Sequence, residues 1–510
     1  MPSRPLQLPV CNIRYTENPS ESNCATHGGP SHADDIFCDV FFGKYLDEAV
    51  IYRHNQNLPE EILRNPNAYI YDIGHGELDH HQKGRNGFHP NKKSFLKPVP
   101  YAAFGLVWKK FGRDFCHKLA ENYGNLKLAS FLWNWVENQL VLGIDASDNG
   151  TYPKTPAYYE PYRSLTFSNV LTYFAPLPIE PQNYIHSYKR ASQLASVAFD
   201  TVIKKGIWQF EHPHATKSAP FYATKFQAHN IFAHVILKRI FPHLSQKDIE
   251  DFPLKKDILY SYHDSRYPNQ NEKFRIPTST LGVMWKKYGE DFCKTINPNP
   301  EWTQYLWNFI NEKLVIPIDA FANGIKPVSH WKYVPYPIFT LSDFLLGLSP
   351  MNCSPTKYTE AYQEALYWAD SIFERILKKG IDSFTNKPYV DKMIEESSNH
   401  ILTMDRFVHW KEWVLTSKNP KAQDLWFVVF PSLDGNYNIS TIPEKAGCYR
   451  KNFPHSWLGL RDEELQKESK VPGANFVHNE GFLAGACDLN SAKLLIEQAC
   501  SLSTDVVNGN

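Results

Sequence analysis

The order of apolar and polar positions sets the outline of this chain. The run DIFCDVFFGKYL, with Ile36, Val40 and Leu46 among its apolar positions, predicts a helix. NAYIYDIG is a short β-rich run that closes at Gly74, as a buried strand does. LASFLWNWVENQLVLGID predicts a helix up to about Leu140. Helices alternating with short buried strands imply an α/β domain on a parallel sheet. In such sheets chemistry gathers at the carboxyl ends of strands. The acidic residues that close these runs are therefore well placed.

The apolar pattern also repeats. PYAAFGLVWKKFGRDFC, from Pro100, is matched by IPTSTLGVMWKKYGEDFC, from Ile276, with Gly105 and Trp108 each 177 residues before Gly282 and Trp285. LWNWVENQLVLGIDASDNG is matched by LWNFINEKLVIPIDAFANG, which sets Trp133 against Trp307, Asp145 against Asp319 and Gly150 against Gly324, each 174 apart. A constant offset over that length marks a duplication. Residues 1–23 read as an N-terminal tail, 24–206 as the first copy, 207–380 as the second, and 381–510 as a separate C-terminal domain.

Bulk chemistry narrows the class. Of 510 residues, 42% are hydrophobic and 21% charged, with 54 basic and 54 acidic side chains. Zero net charge argues against a protein that coats nucleic acid by charge alone, while leaving room for a local basic groove. The nine cysteines form no C-x-x-C pair and no framework, which suggests reduced thiols. With neither a signal-peptide core nor an apolar run of membrane-spanning length, a cytoplasmic enzyme without membrane attachment is expected; a mitochondrial or nuclear address stays open.

Ligand-type residues cluster in the first copy. THGGPSHADD carries His27, His32, Asp34 and Asp35; YDIGHGELDHHQ carries Asp72, Asp79, His80 and His81; GIDASDNG carries Asp145 and Asp148. Imidazole with carboxylate suits manganese, iron, cobalt or zinc, and magnesium where carboxylates dominate. Carboxylates can bridge two ions about 3.5–4 Å apart, the spacing that clamps both oxygens of a phosphoester. Any one of these residues alone is an ordinary surface or turn residue; three clusters with one chemistry are not. The duplication supplies a control. The second copy sets Tyr222, Gln227, His229 and Asn230 against His27, His32, Asp34 and Asp35. It sets Ser261, Pro268, Asn269 and Gln270 against Asp72, Asp79, His80 and His81. Asp319 survives opposite Asp145, whereas Ala322 replaces Asp148. The second copy has kept its core pattern and lost its ligands.

The set TH-x-G-x-x-HxDD, D-x-G, DHHQ and D-A-x-DNG resembles the melanocyte-proliferating-gene (MYG) exonucleases, a branch of the DHH phosphoesterases. MDRFVHWKEWV from Met404, SWLGLRDEEL from Ser456 and PGANFVHNEGFLAGA from Pro472 resemble that family's C-terminal domain. The family has one catalytic unit followed directly by that domain, so the inserted second copy is a departure. The resemblance implies a DHH-type parallel-sheet domain, a degenerate copy of it, and a C-terminal α/β domain of the DHH-associated kind. It implies a 3′–5′ exonuclease acting on DNA or RNA ends with two divalent ions, manganese foremost and magnesium as the alternative. Carried over by position, His27 and His32 would hold one ion and Asp34 the other. Asp72 would bridge them, His80 and Asp145 would complete the second, His81 would contact the phosphate, and Asp79 would orient its histidine neighbours.

On the substrate side, residues 82–113 hold Lys83, Arg85, Lys92, Lys93, Lys97, Lys109, Lys110 and Arg113 and no acid. This run could line a phosphate backbone or be a solvated face. His478, Gly481 and Gly485 lie in a segment resembling the family's glycine-rich phosphate loop. Two rival functions stay open: a small-molecule phosphohydrolase acting on short oligonucleotides, nucleotides or pyrophosphate, and a nucleic-acid-binding scaffold with a vestigial site. The two copies are expected to pack as an internal pseudo-dimer; the oligomeric state of the whole chain is open.

Overall fold

The computed structural model describes residues 7–29, 32–54, 58–74, 76–81, 87–90, 99–149, 153–154, 165–177, 184–213, 225–245, 276–325, 328–329, 338–350, 355–432, 435–445, 448–478 and 481–502. The protein is α/β. Strands β1 (Ile13–Thr16), β2 (Cys24–His27), β3 (Ala49–His54) and β4 (Tyr69–Ile70) form one sheet in the order β1-β3-β2-β4, and every pairing in it is parallel. The supposed N-terminal tail therefore includes an edge strand; four residues with one buried side chain are too few to show a period.

Helix α1 (Ala33–Tyr45) makes the crossover from β2 to β3. It is buried from Ala33 to Lys44, so it carries apolar residues all round rather than a stripe. Its buried first turn contains Asp34 and Asp35, where the positive end of the helix dipole favours negative charge. The loop from His27 into α1 and the chain leaving β4 lie at the carboxyl ends of adjacent strands. That is where an α/β sheet opens a crevice.

The repeated segments are helical in both copies. Ala103–Tyr123 corresponds to Thr280–Ile296, and Lys127–Val136 to Pro300–Ile310. The expected stop near Leu140 does not occur. A π-helical turn, Glu137–Val141, leads straight into Leu142–Asp148, and Asn311–Val315 leads likewise into Ile316–Ala322. The segment GID thus lies inside a helix, not at a strand end.

Both copies belong to one compact unit, residues 1–80, 84–176 and 182–380. Within it they meet through equivalent residues. Thr166 pairs antiparallel with Thr340, and Lys154 with Val328. Each pair is 174 residues apart, the offset of the duplication. Around the first pair, Phe167 N donates to Phe339 O at 2.8 Å and Leu341 N donates to Leu165 O at 3.1 Å. Such reciprocal exchange is what a two-fold axis imposes.

The second unit takes in residues 81–83, 177–181 and 381–510. Its mixed sheet runs Ala474–Val477, Leu483–Ala486, Tyr437–Thr441, Phe427–Pro431, Ile401–Thr403. Helix Leu489–Ser501 contributes Leu495 and Ile496 to a core shared with Trp457 and Phe427. No helix among the described residues is long and apolar enough to cross a membrane.

Candidate metal centre

His27 ends β2. Its Nδ1 lies 2.8 Å from the carbonyl of Gly28. A backbone acceptor there fixes the tautomer and leaves Nε2 for a ligand. That Nε2 lies 2.9 Å from Asp35 Oδ2 and 3.0 Å from Asp72 Oδ2. The other oxygen of Asp72, Oδ1, lies 3.1 Å from His80 Nε2. Asp72 is thus shared between two histidines, one oxygen to each. It follows β4 and Tyr71 with φ +58°, a left-handed conformation that Asp and Asn adopt more readily than other non-glycine residues. Strain of this kind collects at functional sites.

His80 Nε2 also approaches Asp148 Oδ2 at 3.3 Å and Asp34 Oδ2 at 3.9 Å, and His32 Nδ1 lies 4.0 Å from Asp148 Oδ1. Groups with metal-ligand spacing result, among them His27, Asp35 and Asp72, and His32, Asp34 and Asp148. His81 is the partly buried chain neighbour of His80, and Asp79 is buried with its amide bonded to Gly76 O.

The electrostatics are compatible with a cation. Asp34 is fully buried, and neither of its carboxylate oxygens has a hydrogen-bond partner among the described residues. Burial, then the charges of Asp148 and Asp72, push its pKa well above the ordinary carboxylate range. A buried unpaired carboxylate costs several kcal/mol unless neutralised, about what a bound cation would relieve. Asp35 is different. Burial opposes its charge, but Arg53 and His27 win and hold it at about 2. Burial opposes a charge on His80 too, yet its bond to Asp72 raises its pKa to about 9. Asp34, Asp72 and Asp148 with His27, His32 and His80 are a donor set that fits divalent transition ions.

Arg53, on β3, had no signal in the sequence beyond a lone cation in an apolar strand. Its Nη2 bonds Asp35 Oδ1 at 3.2 Å and Asp39 Oδ2 at 2.5 Å. Asp39 also accepts from Tyr15 and Tyr71. Asp35 is thereby held against His27 Nε2, the nitrogen that also faces Asp72, while Gly28 O orients the ring from its other nitrogen.

Asp145, expected as a metal ligand, is close enough to act on the charges of Asp34 and His80, but its oxygens meet other groups. Its Oδ1 accepts from Gly105 N at 3.0 Å, and its Oδ2 accepts from Ala102 N at 2.9 Å and meets His89 Nε2 at 2.8 Å. Its carboxylate is consumed in anchoring helix Leu142–Asp148 to the start of Ala103–Tyr123. Asp319 does the same in the second copy, accepting from Gly282 N and Ser279 Oγ. Asp148, at the last turn of the helix, is the residue that reaches the histidines. A Cβ on Gly105 or Gly282 would collide with the Asp145 or Asp319 carboxylate, which is why both copies have glycine there. Gly105→Ala and Gly282→Ala should each cost roughly 1–3 kcal/mol of stability by overpacking. Equal melting temperatures for wild type and either variant would contradict this anchor.

His89 was also missed. It is buried between Glu137 Oε1 at 2.6 Å and Asp145 Oδ2. Burial opposes its charge, but the two carboxylates raise its pKa to about 9. A raised histidine pKa gives stability that is complete below the unfolded value near 6.5 and lost as pH rises through about 9. Thermal stability should therefore fall between pH 7 and 9.5 in the wild type and fall less in His89→Gln. Parallel melting curves across that range would contradict the assignment.

In the second copy, helix Ala228–Ile240 stands where α1 stands in the first. His229, opposite Asp34, is lowered by burial to about 4. It is a neutral imidazole where the first copy has a carboxylate. No metal-type cluster occurs in this copy among the described residues. Tyr222, Ser261, Pro268, Asn269 and Gln270 lie outside them, as do Lys83, Arg85, Lys92 and Lys93. Of the basic run, Lys110 pairs with Glu77, Lys109 lies over the Tyr101 ring and Arg113 over Trp133.

The expected phosphate loop is partly spoken for. Gly481, φ +68°, closes a turn with its amide bonded to His478 O, and His478 N donates to Leu483 O. Gly485 is inside a strand, where a Cβ would press on the Phe476 ring. Its glycine is a packing requirement rather than a loop.

Comparison with known proteins gives the family. A MYG1 protein of Saccharomyces cerevisiae is 28% identical over 238 residues, 42% of this chain and 70% of that protein. A MYG1 protein of Caenorhabditis elegans is 25% identical over 261 residues, covering 46% and 74%. The protein named MYG1 exonuclease in Homo sapiens is 27% identical over 226 residues, covering 41% and 59%. No solved structure matches significantly. The family model for MYG1 exonucleases, described as an uncharacterised protein family (UPF0160), matches residues 23–243 and again 254–500. Two matches that together span most of the sequence place this duplicated chain in the MYG1 exonuclease family.

Proposed function

We propose that the first copy is a two-metal phosphodiesterase of the DHH type that trims nucleic-acid ends, in the 3′–5′ direction and with manganese. The observation that carries this reading is the buried Asp34 carboxylate without a hydrogen-bond partner, beside an Asp72 shared between His27 and His80. Relatives named MYG1 exonuclease support the substrate class.

His27 and Asp72 would hold one ion; Asp34, His80 and Asp148 would hold the other, with Asp72 common to both and His32 beside Asp148. When bound, such ions lower the pKa of water and screen the phosphate charge. Asp35, held by Arg53, faces the same His27 nitrogen as Asp72 and would join them at the first ion, with Gly28 O keeping the ring aimed. Asp145 keeps the Asp148 helix seated. His81 is the residue proposed to contact the scissile phosphate, with Asp79 orienting the histidines. The basic run through Lys83, Arg85, Lys92 and Lys93 is proposed to hold the polymer. His478 is proposed to contact phosphate.

The test is release of nucleotides from 5′- and 3′-labelled DNA and RNA with added Mn2+ or Mg2+. Metal-dependent release of mononucleotides from the 3′ end is expected, abolished by chelation. Hydrolysis confined to dinucleotides or pyrophosphate would replace the polymer with a small substrate. Release unaffected by chelation would overturn the metal reading.

A further inference from the structure

We propose that the second copy is a built-in partner subunit whose pairing face braces the metal centre of the first. The inference rests on the metal reading above but reaches residues outside the site.

Three observations carry it. First, the contact is reciprocal. Thr166 and Thr340 face each other, each the N-cap of its own short helix, and the flanking hydrogen bonds exchange equivalent partners. A second reciprocal pair lies beside it. Arg375 donates to the carbonyls of Tyr173 and Ala175, while its counterpart Thr201 packs against Gly347, the counterpart of Tyr173. Reciprocity of this kind is the mark of an isologous interface between two copies of one domain.

Second, the face continues into the site. Phe344 and Phe339 of the second copy pack on Phe167, at 5.4 and 5.3 Å between ring centroids. Phe167 packs on Phe37 at 6.0 Å, and Phe37 stacks on Phe104 at 5.3 Å. Phe37 is on α1, one turn after Asp34; Phe104 adjoins Gly105, which holds Asp145. The chain of rings ends at both helices that carry the acidic ligands' supports. Third, Ser371 of the second copy bonds Arg190, two residues along the helix from Tyr188, and Tyr188 donates to Gly29 O in the loop between His27 and His32.

A copy that has lost its ligands yet keeps this face has kept what its neighbour requires. Packed interiors transmit small displacements, and a metal site tolerates few. Supporting residues at one remove typically change metal affinity by about 10–100-fold.

The test uses the full chain. Thr166 and Thr340 are a non-hydrogen-bonded antiparallel pair, whose Cα atoms lie about 4.5 Å apart in regular sheets, within disulfide range. The Thr166→Cys/Thr340→Cys double variant should form an intrachain disulfide on oxidation, seen by peptide mapping. Phe344→Ala is then added, and Mn2+ affinity is measured in the reduced and oxidised forms. Reduced protein should bind Mn2+ at least about tenfold more weakly than wild type, and oxidation should recover most of the loss. Wild-type affinity in the reduced form would overturn the proposal. So would equal loss in both forms, since the effect would not then run through the pairing face. If wild type itself binds no Mn2+, the metal reading fails, and amide exchange in α1 decides the bracing alone. Slower exchange in the oxidised than the reduced triple variant supports it; equal rates overturn it.

Discussion

Asp72→Asn is expected to abolish turnover, by more than the tenfold to hundredfold, approximately, that loss of an outer-shell partner costs. Asp72 gives one oxygen to the side of His27 and the other to the side of His80. An amide has the same shape, but it carries no charge to offset two cations and presents one nitrogen where an oxygen is needed. The fold should survive, because asparagine tolerates the left-handed conformation that Asp72 adopts. Metal binding should fall with activity. Turnover within tenfold of wild type at saturating Mn2+ would show that Asp72 bridges nothing.

The second large effect separates two aspartates three residues apart. Asp148→Ala should lose turnover and metal affinity with its melting temperature nearly unchanged, since among the described residues Asp148 meets His32 and His80 and adds its charge to that of Asp34. Asp145→Ala should do the reverse in stability. It leaves the amides of Ala102 and Gly105 and the imidazole of His89 without their acceptor. Each orphaned buried donor costs about 1–3 kcal/mol. Asp319→Ala should match it in kind, at a smaller cost and with little direct loss of chemistry, because Asp319 anchors the same corner of the second copy. In that copy burial, against hydrogen bonds from Ser279 and Gly282, raises Asp319 to about 7. Thermal melts and Mn2+ titrations of the three variants decide this. A stable, inactive Asp145→Ala with an active Asp148→Ala would restore Asp145 as the ligand.

That pair shows where the sequence was legible and where it was not. The candidate ligands of the first two clusters sit at chain-local positions, at the end of β2, at the start of α1 and just after β4, so composition and order were enough to propose them together. Choosing between Asp145 and Asp148 required the direction each faces on a helix, and the segment looked like a strand end. The duplication nevertheless held a pointer. The aspartate kept in the second copy, Asp319, anchors a helix corner; the one replaced, by Ala322, is the counterpart of Asp148, which meets His32 and His80. Arg53 and His89 act by reaching across elements to Asp35, Asp39, Glu137 and Asp145, and no local pattern announces such contacts. The strand β1 was too short to show alternation. The glycines near His478 looked like an anion loop because glycine serves close packing and tight turns with the same letter.

The most direct test of the central claim is anomalous scattering from crystals of the full chain grown with Mn2+. Two manganese ions bridged by Asp72 are expected in the first copy, with Asp34, His80 and Asp148 among the ligands, Asp145 still bound to its backbone amides, and no ion in the second copy. A single ion, an ion ligated by Asp145, or a fully occupied site in the second copy would contradict it.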